Sequence, residues 1–512
     1  MLARVHSIGV QGIEAFRVEV EVDLARGLPS FAIVGLPDTS IRESTDRVKA
    51  AIKNSGFEFP RSRLTVNLAP GNFRKEGPAF DLPIALGVLA VIGEIPQEAL
   101  EGKCFCSELS LKGELRPIAG VLSRVLGLKG KKTALVVPEA NTYEAALIRD
   151  VEVYGARHLL DCVRMLRGES MLPNIRPDVK RLWRENDHCS FDFKEVKGQL
   201  HAKRALEVAA AGGHHLLLVG SIGSGKTMLA KRFPSLLPPM SVDEAIETTQ
   251  IHSVAGYLSH RKRFVVSRPF RSPHHTVSGA GLVGGGSRPK PGEISLAHHG
   301  VLFLDELPEF NRAALESLRQ PLEEGVVTIS RAEGSLTYPA RFTLICAMNP
   351  CPCGFLTDPV HECHCTPGQI QRYLSRVSGP LLDRIDIHLE VAPLPYQDLR
   401  NFREGEGSES IRRRVAAARK IQKERYKVLG KGFWNTSLGP TEIKKYCPVS
   451  AEAEGLLKQS VEKLGLSARA YDKILKVGRT IADLEGADEI SASHLSEAIG
   501  YRSLDREFWA KK

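Results

Sequence analysis

The chain has 512 residues, 42% of them hydrophobic and 25% charged, and its 70 Lys and Arg against 60 Asp and Glu give a net charge of +10. That balance excludes a disordered or fibrous chain and predicts a soluble protein of two to four domains; the positive charge is compatible with a polyanion partner such as nucleic acid. No apolar run approaches the roughly 18 residues of a membrane helix, and the N-terminal MLARVHSIGVQGIEAF lacks a signal-peptide core, so the expected setting is cytoplasmic, with no membrane contact.

Residues 1–168 alternate short β-branched runs (Phe16–Val22, Leu64–Leu68, Ala134–Val137) with helical stretches (Ser40–Asn54, Asp81–Ile92), the pattern of a compact α/β domain. Residues 169–190 lack apolar periodicity, hold two prolines and many charges, and read as a linker. Residues 191–393 form a second α/β block. Its apolar runs Leu216–Val219, Gly300–Leu304 and Phe342–Ala347 suit strands buried on both faces of a parallel sheet. Residues 394–512 read as helices, at Glu409–Tyr426, Ala451–Leu464, Ala468–Leu484 and Ala492–Tyr501.

The chemistry sits in the second block. Gly220-Ser221-Ile222-Gly223-Ser224-Gly225-Lys226-Thr227 matches GxxxxGKT between an apolar strand and a helical run. Glycines let backbone N–H groups converge on phosphate oxygens, Lys226 supplies charge to the β- and γ-phosphates, and the Thr227 hydroxyl ligates Mg²⁺, so the expected cofactors are ATP and Mg²⁺. Asp305 and Glu306 end another apolar strand; the first is expected to hold Mg²⁺ through water and the second to act as general base on the attacking water. Asn349, after a third strand, is placed to orient that water. Arg384, in Leu381-Leu-Asp-Arg-Ile-Asp386, and Arg469, in the helical block, each offer a guanidinium, either to a γ-phosphate or to a surface ion pair. Cys351, Cys353, Cys363 and Cys365 make a CxC–x₉–CxC pattern. It reads either as a tetrahedral Zn²⁺ site, with His361 or His364 able to replace one sulfur, or as buried thiols.

The blocks RPFRSPHHT (268–276), FLDELPEF (303–310), AMNPCPCG (347–354), CTPGQIQRY (365–373), LLDRIDIH (381–388) and LSARAYDKILKVGRTIADL (466–484) resemble the ComM/YifB family of magnesium-chelatase-like AAA+ ATPases over essentially the whole chain. The phosphate loop differs in reading GSIGSGKT, where that family usually has two prolines after the first glycine. The resemblance implies a P-loop AAA+ core, a parallel sheet flanked by helices, followed by an α-helical C-terminal lid. It further implies a homo-hexameric ring with ATP between subunits, Arg384 as the finger acting in trans and Arg469 as a sensor on the lid. The partner it implies is single-stranded or branched DNA, worked on by a motor with branch-migration helicase activity in natural transformation. A chelatase-type motor subunit and a protein-remodelling ATPase are the alternatives. The segment Thr248–His299 and a hairpin around Ala332-Glu-Gly334 resemble the pore-facing insertions of AAA+ motors, which would bring Arg288, Lys290 and Arg331 near a threaded substrate. Residues 1–168 resemble the Lon-protease-like fold, with the topology of ribosomal S5 domain 2. Ala79 and Leu122 occupy its serine and lysine positions, so peptidase activity is not expected.

Overall fold

The computed structural model describes residues 1–174, 191–258, 264–286, 289–331, 334–393, 405–430, 432–464, 467–502 and 504. They group into two units, residues 1–186 with 242–265, and residues 187–241 with 266–512.

In the first unit, strands β1 (Leu2–Gln11) and β2 (Glu14–Ala25) pair antiparallel from Leu2–Asp23 to Gln11–Glu14. Their two-residue turn places Gly12 at φ 63°, a region that glycine enters without a Cβ clash. With β3 (Ser30–Val34), β4 (Arg63–Ala69), β5 (Lys103–Phe105), β6 (Ala134–Pro138) and β7 (Val153–Ala156) they form one mixed sheet in the order β3-β4-β2-β1-β5-β6-β7. β2 shows the period of two expected of a half-buried strand: Val18, Val20 and Val22 are fully buried and alternate with more exposed Arg17, Glu19 and Glu21. Over that face lies the helix Asp81–Val91, apolar on every side apart from its first residue, which is why it is buried along its length. A Cβ on Gly87 would stand 2.5 Å from Val22 Cγ2, so glycine sets how closely the helix approaches the sheet.

The first unit also takes back a later piece of chain. The helix Val242–Ala255, which the sequence places in the ATPase block, packs against the helix Val121–Leu126. Gln250 Nε2 donates to the Ile13 carbonyl (2.8 Å) and to Ser123 Oγ (3.2 Å), Gly120 N to the Ser253 carbonyl (3.2 Å), and Ser253 Oγ to the Glu144 carboxylate. Burial raises the Glu144 pKa, while the donors from Ser253, the Leu122 backbone and Asn141 and the charge of Arg124 pull it down. Ala79 and Leu122, the positions matched to a protease dyad, are both buried among apolar residues.

The second unit is built on five parallel strands, β8 (Leu216–Val219), β9 (Phe270–Arg271), β10 (Val301–Leu304), β13 (Thr343–Met348) and β14 (Ile387–Glu390), in the order β9-β10-β13-β8-β14; an antiparallel hairpin, β11 (Val326–Arg331) and β12 (Gly334–Pro339), precedes β13. β8, β10 and β13 are buried at every residue, as continuous apolar runs in a parallel sheet require. The helices Ser408–Arg425, Ala451–Leu464, Ala468–Glu485 and Ala492–Gly500 share one core with the sheet, through Ile474, Ile481, Leu495 and Tyr501. Where sheet meets helices, buried Asp386 pairs with Lys473 Nζ (3.0 Å) and accepts from His215 N (3.0 Å) and Thr436 Oγ1 (3.1 Å). Desolvation alone would raise its pKa; the charges of Lys473 and the His214–His215 pair hold it well below the usual carboxylate value. Among the described residues, no helix is long and apolar enough to cross a membrane.

Candidate active site

In an open parallel sheet, ligands bind beyond the carboxyl ends of the strands. Strands β10, β13 and β8 are neighbours, and beyond their carboxyl ends stand Asp305, Asn349 and the loop Gly220–Thr227. The loop needs its glycines for separate reasons. A Cβ on Gly220 would lie 2.3 Å from the Val391 carbonyl oxygen, whereas Gly223 and Gly225 have φ of 77° and 92°. Gly225 caps the helix Lys226–Arg232, so Lys226 and Thr227 begin it.

Lys226 is buried, and its ammonium donates to the carbonyls of Gly220 and Ser221 (2.8 Å each), to Ser224 Oγ (3.4 Å) and to Asn349 Oδ1 (3.2 Å). Burial lowers its pKa, and the Asp305 charge acts in the opposite direction. Thr227 Oγ1 donates to Asp305 Oδ2 at 2.7 Å. Oxygens sharing an octahedral Mg²⁺ at about 2.1 Å sit roughly 3 Å apart, so this hydroxyl and carboxylate have the spacing and hard-donor chemistry to hold that ion together. Ser221 and Ser224 are buried, and Ile222 stands exposed at the loop tip.

Glu306 adopts φ 53°, an uncommon backbone for a residue with a side chain, and its carboxylate is exposed. Its Oε2 lies 3.1 Å from His275 Nδ1, and His275 lies against His274 with ring centroids 4.1 Å apart and the rings tilted by 35°. The sequence reading gave His275 no role. Its signal was the PHHT block, which carries two adjacent imidazoles.

The two arginines are engaged away from Lys226. Arg384 is ion-paired with Glu323 and donates from Nη1 to the Pro380 carbonyl (2.6 Å). Exposed Arg469 lies 3.7 Å from Asp383, the residue before Arg384, so the lid helix and the Asp383–Arg384 turn meet at one place. Lys290 is exposed on a two-residue strand; Arg288 and the side chain of Arg331 lie outside the described residues.

The four cysteines converge. Cys351 Sγ is 3.3 Å from Cys353 Sγ and 3.6 Å from Cys363 Sγ, Cys353 and Cys363 are 3.5 Å apart, and all four sulfurs, Cys365 included, lie within 4.8 Å of one another. A tetrahedral Zn²⁺ with bonds of about 2.3 Å spaces its sulfurs by roughly 3.8 Å, so the donor set fits that ion. His361 is turned to Asp358, at 3.1 Å.

The family described as "Magnesium chelatase, subunit ChlI" matches residues 192–399, "Subunit ChlI of Mg-chelatase" matches 20–141, and "Magnesium chelatase, subunit ChlI C-terminal" matches 405–502. The chain is 46% identical over 507 residues to "Competence protein ComM" of Haemophilus influenzae, covering 99% of this chain and 98% of that one. It is 44% identical to "Uncharacterized protein YifB" of Salmonella typhimurium with the same coverage. By contrast, "Magnesium-chelatase subunit ChlI" of Olisthodiscus luteus is 25% identical over 31% of this chain and 51% of its own. With relatives of this name matched over 99% of its length and the magnesium-chelatase models over its parts, the chain belongs to the ComM/YifB family of magnesium-chelatase-like AAA+ proteins.

Proposed function

We propose that the chain is an ATP-hydrolysing motor that assembles as a homo-hexamer and acts on single-stranded or branched DNA, as a branch-migration helicase on recombination intermediates in natural transformation. The convergence of Lys226, Thr227, Asp305 and Asn349 on three neighbouring strands carries this reading. Full-length similarity to a protein named for competence supports the DNA-directed part.

In this reading the amides of Gly220–Lys226 wrap the phosphates, and Lys226 exchanges its carbonyl partners for the β- and γ-phosphate oxygens. Thr227 and Asp305 would hold Mg²⁺, which would supply charge neutralisation to the phosphates. Asn349 orients the attacking water and Glu306 takes its proton. Arg384 leaves Glu323 to reach the γ-phosphate held by a neighbouring subunit, and Arg469 couples the lid to the same event. The four cysteines hold one structural Zn²⁺. Lys290, with Arg288 and Arg331, grips DNA phosphates without reading sequence, which a moving motor requires.

The chelatase-motor alternative is disfavoured because a protein named for competence is 46% identical over 99% of this chain, whereas a chelatase subunit is 25% identical over 31% of it. ATP turnover measured with single-stranded, duplex and four-way-junction DNA separates a DNA motor from a protein-remodelling ATPase. The expected outcome is stimulation that falls steeply with salt and is lost when Arg288, Lys290 and Arg331 are neutralised together, while basal hydrolysis survives. Assembled rings that no DNA stimulates would favour protein remodelling.

A further inference from the structure

We infer that the four-cysteine cluster, with zinc bound, is the positioning device of the nucleotide site: it clamps the loop Cys351–Cys365 onto the phosphate loop and fixes Asn349. This deepens the reading above and rests on its zinc assignment.

The chain between Met348 and Pro367 forms neither helix nor strand, so its own backbone does little to hold it. Its two ends are nonetheless tied to the nucleotide site. Asn349, two residues before Cys351, accepts from Lys226, and the Gly220 amide donates to the Met348 carbonyl (3.3 Å). Cys365 immediately precedes Thr366, which caps the helix Pro367–Leu374, and that helix carries the buried Tyr373, whose hydroxyl lies near the Asn349 backbone. Cross-linking Cys351 and Cys353 to Cys363 and Cys365 through one ion therefore closes a ring whose ends both fix Asn349.

The middle of the loop rests on the phosphate loop itself. A Cβ on Gly354, at φ 82°, would lie 2.7 Å from Ile222 Cγ1, so the backbone there sits directly against the loop tip. Asp358 accepts from the amides of Val360 and His361 (2.9 Å each), and its carboxylate lies beside the Ser221 side chain. Four thiolates around zinc make a rigid unit where the backbone supplies none, and that rigidity is passed on through Gly354, Asp358 and Asn349.

The test measures zinc per chain in protein purified without chelators. ATP dissociation constant, kcat and melting temperature are then followed through chelation and zinc return. The expected result is about one zinc per chain, with removal weakening ATP binding and slowing kcat by about tenfold or more, both restored by zinc. Gly354→Ala is the second arm. It keeps all four cysteines and its zinc, its melting temperature reports the fold, and it should weaken ATP binding even if zinc-free protein fails to fold. ATP affinity and kcat unchanged in folded zinc-free protein, or in zinc-loaded Gly354→Ala, overturn the positioning role and leave the zinc site standing. Zinc well below one per chain overturns both.

Discussion

Two loop-to-helix turns invite comparison. The turn Lys75–Phe80 leads into the helix Asp81–Val91, and the turn Gly220–Gly225 leads into Lys226–Arg232. Each has glycine at positive φ, Gly77 at 80° in the first and Gly223 at 77° in the second, and each carries a lysine whose pKa burial lowers. There the likeness ends. Lys75 is sealed in and donates to the Pro70 carbonyl, with Ala79 and Phe80 buried behind it. Asp81, the nearby carboxylate, is taken up by Arg47 and Ser44. Lys226 instead meets the Asn349 amide next to a Thr227–Asp305 pair spaced for a cation. A glycine turn with a buried lysine ahead of a helix therefore does not by itself make a site; the convergence of unlike polar groups from several strands marks the turn that can do chemistry.

The largest expected effect sharpens that contrast. Lys226→Ala should reduce ATP hydrolysis on the order of 10³-fold, whereas Lys75→Met should leave kcat within about twofold at a temperature where both proteins are folded. A large kcat loss in Lys75→Met would break the comparison. Casein incubated with the wild-type protein and ATP should stay intact, since neither Ala79 nor Leu122 carries a nucleophile or base.

The proposed sharing of the active site between subunits is tested through Arg384 and Glu306. Removing a trans-acting arginine costs on the order of 10³-fold, so Arg384→Ala and Glu306→Gln proteins should each be nearly inactive. Mixed rings should recover hydrolysis wherever an intact Glu306 faces an intact Arg384. Stable mixed rings with no recovery would count against the assignment.

The next effect is on stability. Asp386 is held well below its ordinary value of 3.8, so its contribution is complete above about pH 4 and drains away as pH falls below that. Asp386→Asn should lose about 4 kcal/mol at neutral pH, because it strands the Lys473 cation in the interior, and should flatten the acid limb of the stability curve. An unchanged acid limb in chemical denaturation would refute the pairing. Leu122→Ala should cost about 3 kcal/mol through the cavity it leaves, with kcat unaffected. If kcat dropped in folded Leu122→Ala protein, the first unit would have a part in turnover that a buried leucine does not explain.

The nucleotide site was legible where chemistry is written in local spacing. GxxxxGKT, an apolar strand ending in Asp305-Glu306 and a third strand ending in Asn349 can each be read within ten residues, and burial on both faces explains the strands' composition. Contacts made across long stretches of chain were not legible. Glu306 meets His275 because of where a loop folds, which no periodicity encodes. The run Val242–Ala255 announces a helix, yet its anchors Gln250 and Ser253 find the Ile13 carbonyl and Glu144 in the first unit. Asp386 reads as one more acid in Leu381–Asp386, and its burial is decided by Lys473, far along in the lid. The CxC spacing alone leaves a zinc site and buried thiols both open; the chain folds back so that Cys363 approaches Cys351 and Cys353 from across the loop.

The most direct measurement of the central claim is ATP-dependent movement of a synthetic four-way DNA junction by the assembled wild-type protein, with Lys226→Ala as the control. The account predicts junction migration that requires ATP, weakens steeply with salt and is absent in Lys226→Ala. Assembled, ATP-hydrolysing rings that neither move the junction nor respond to any DNA would contradict it.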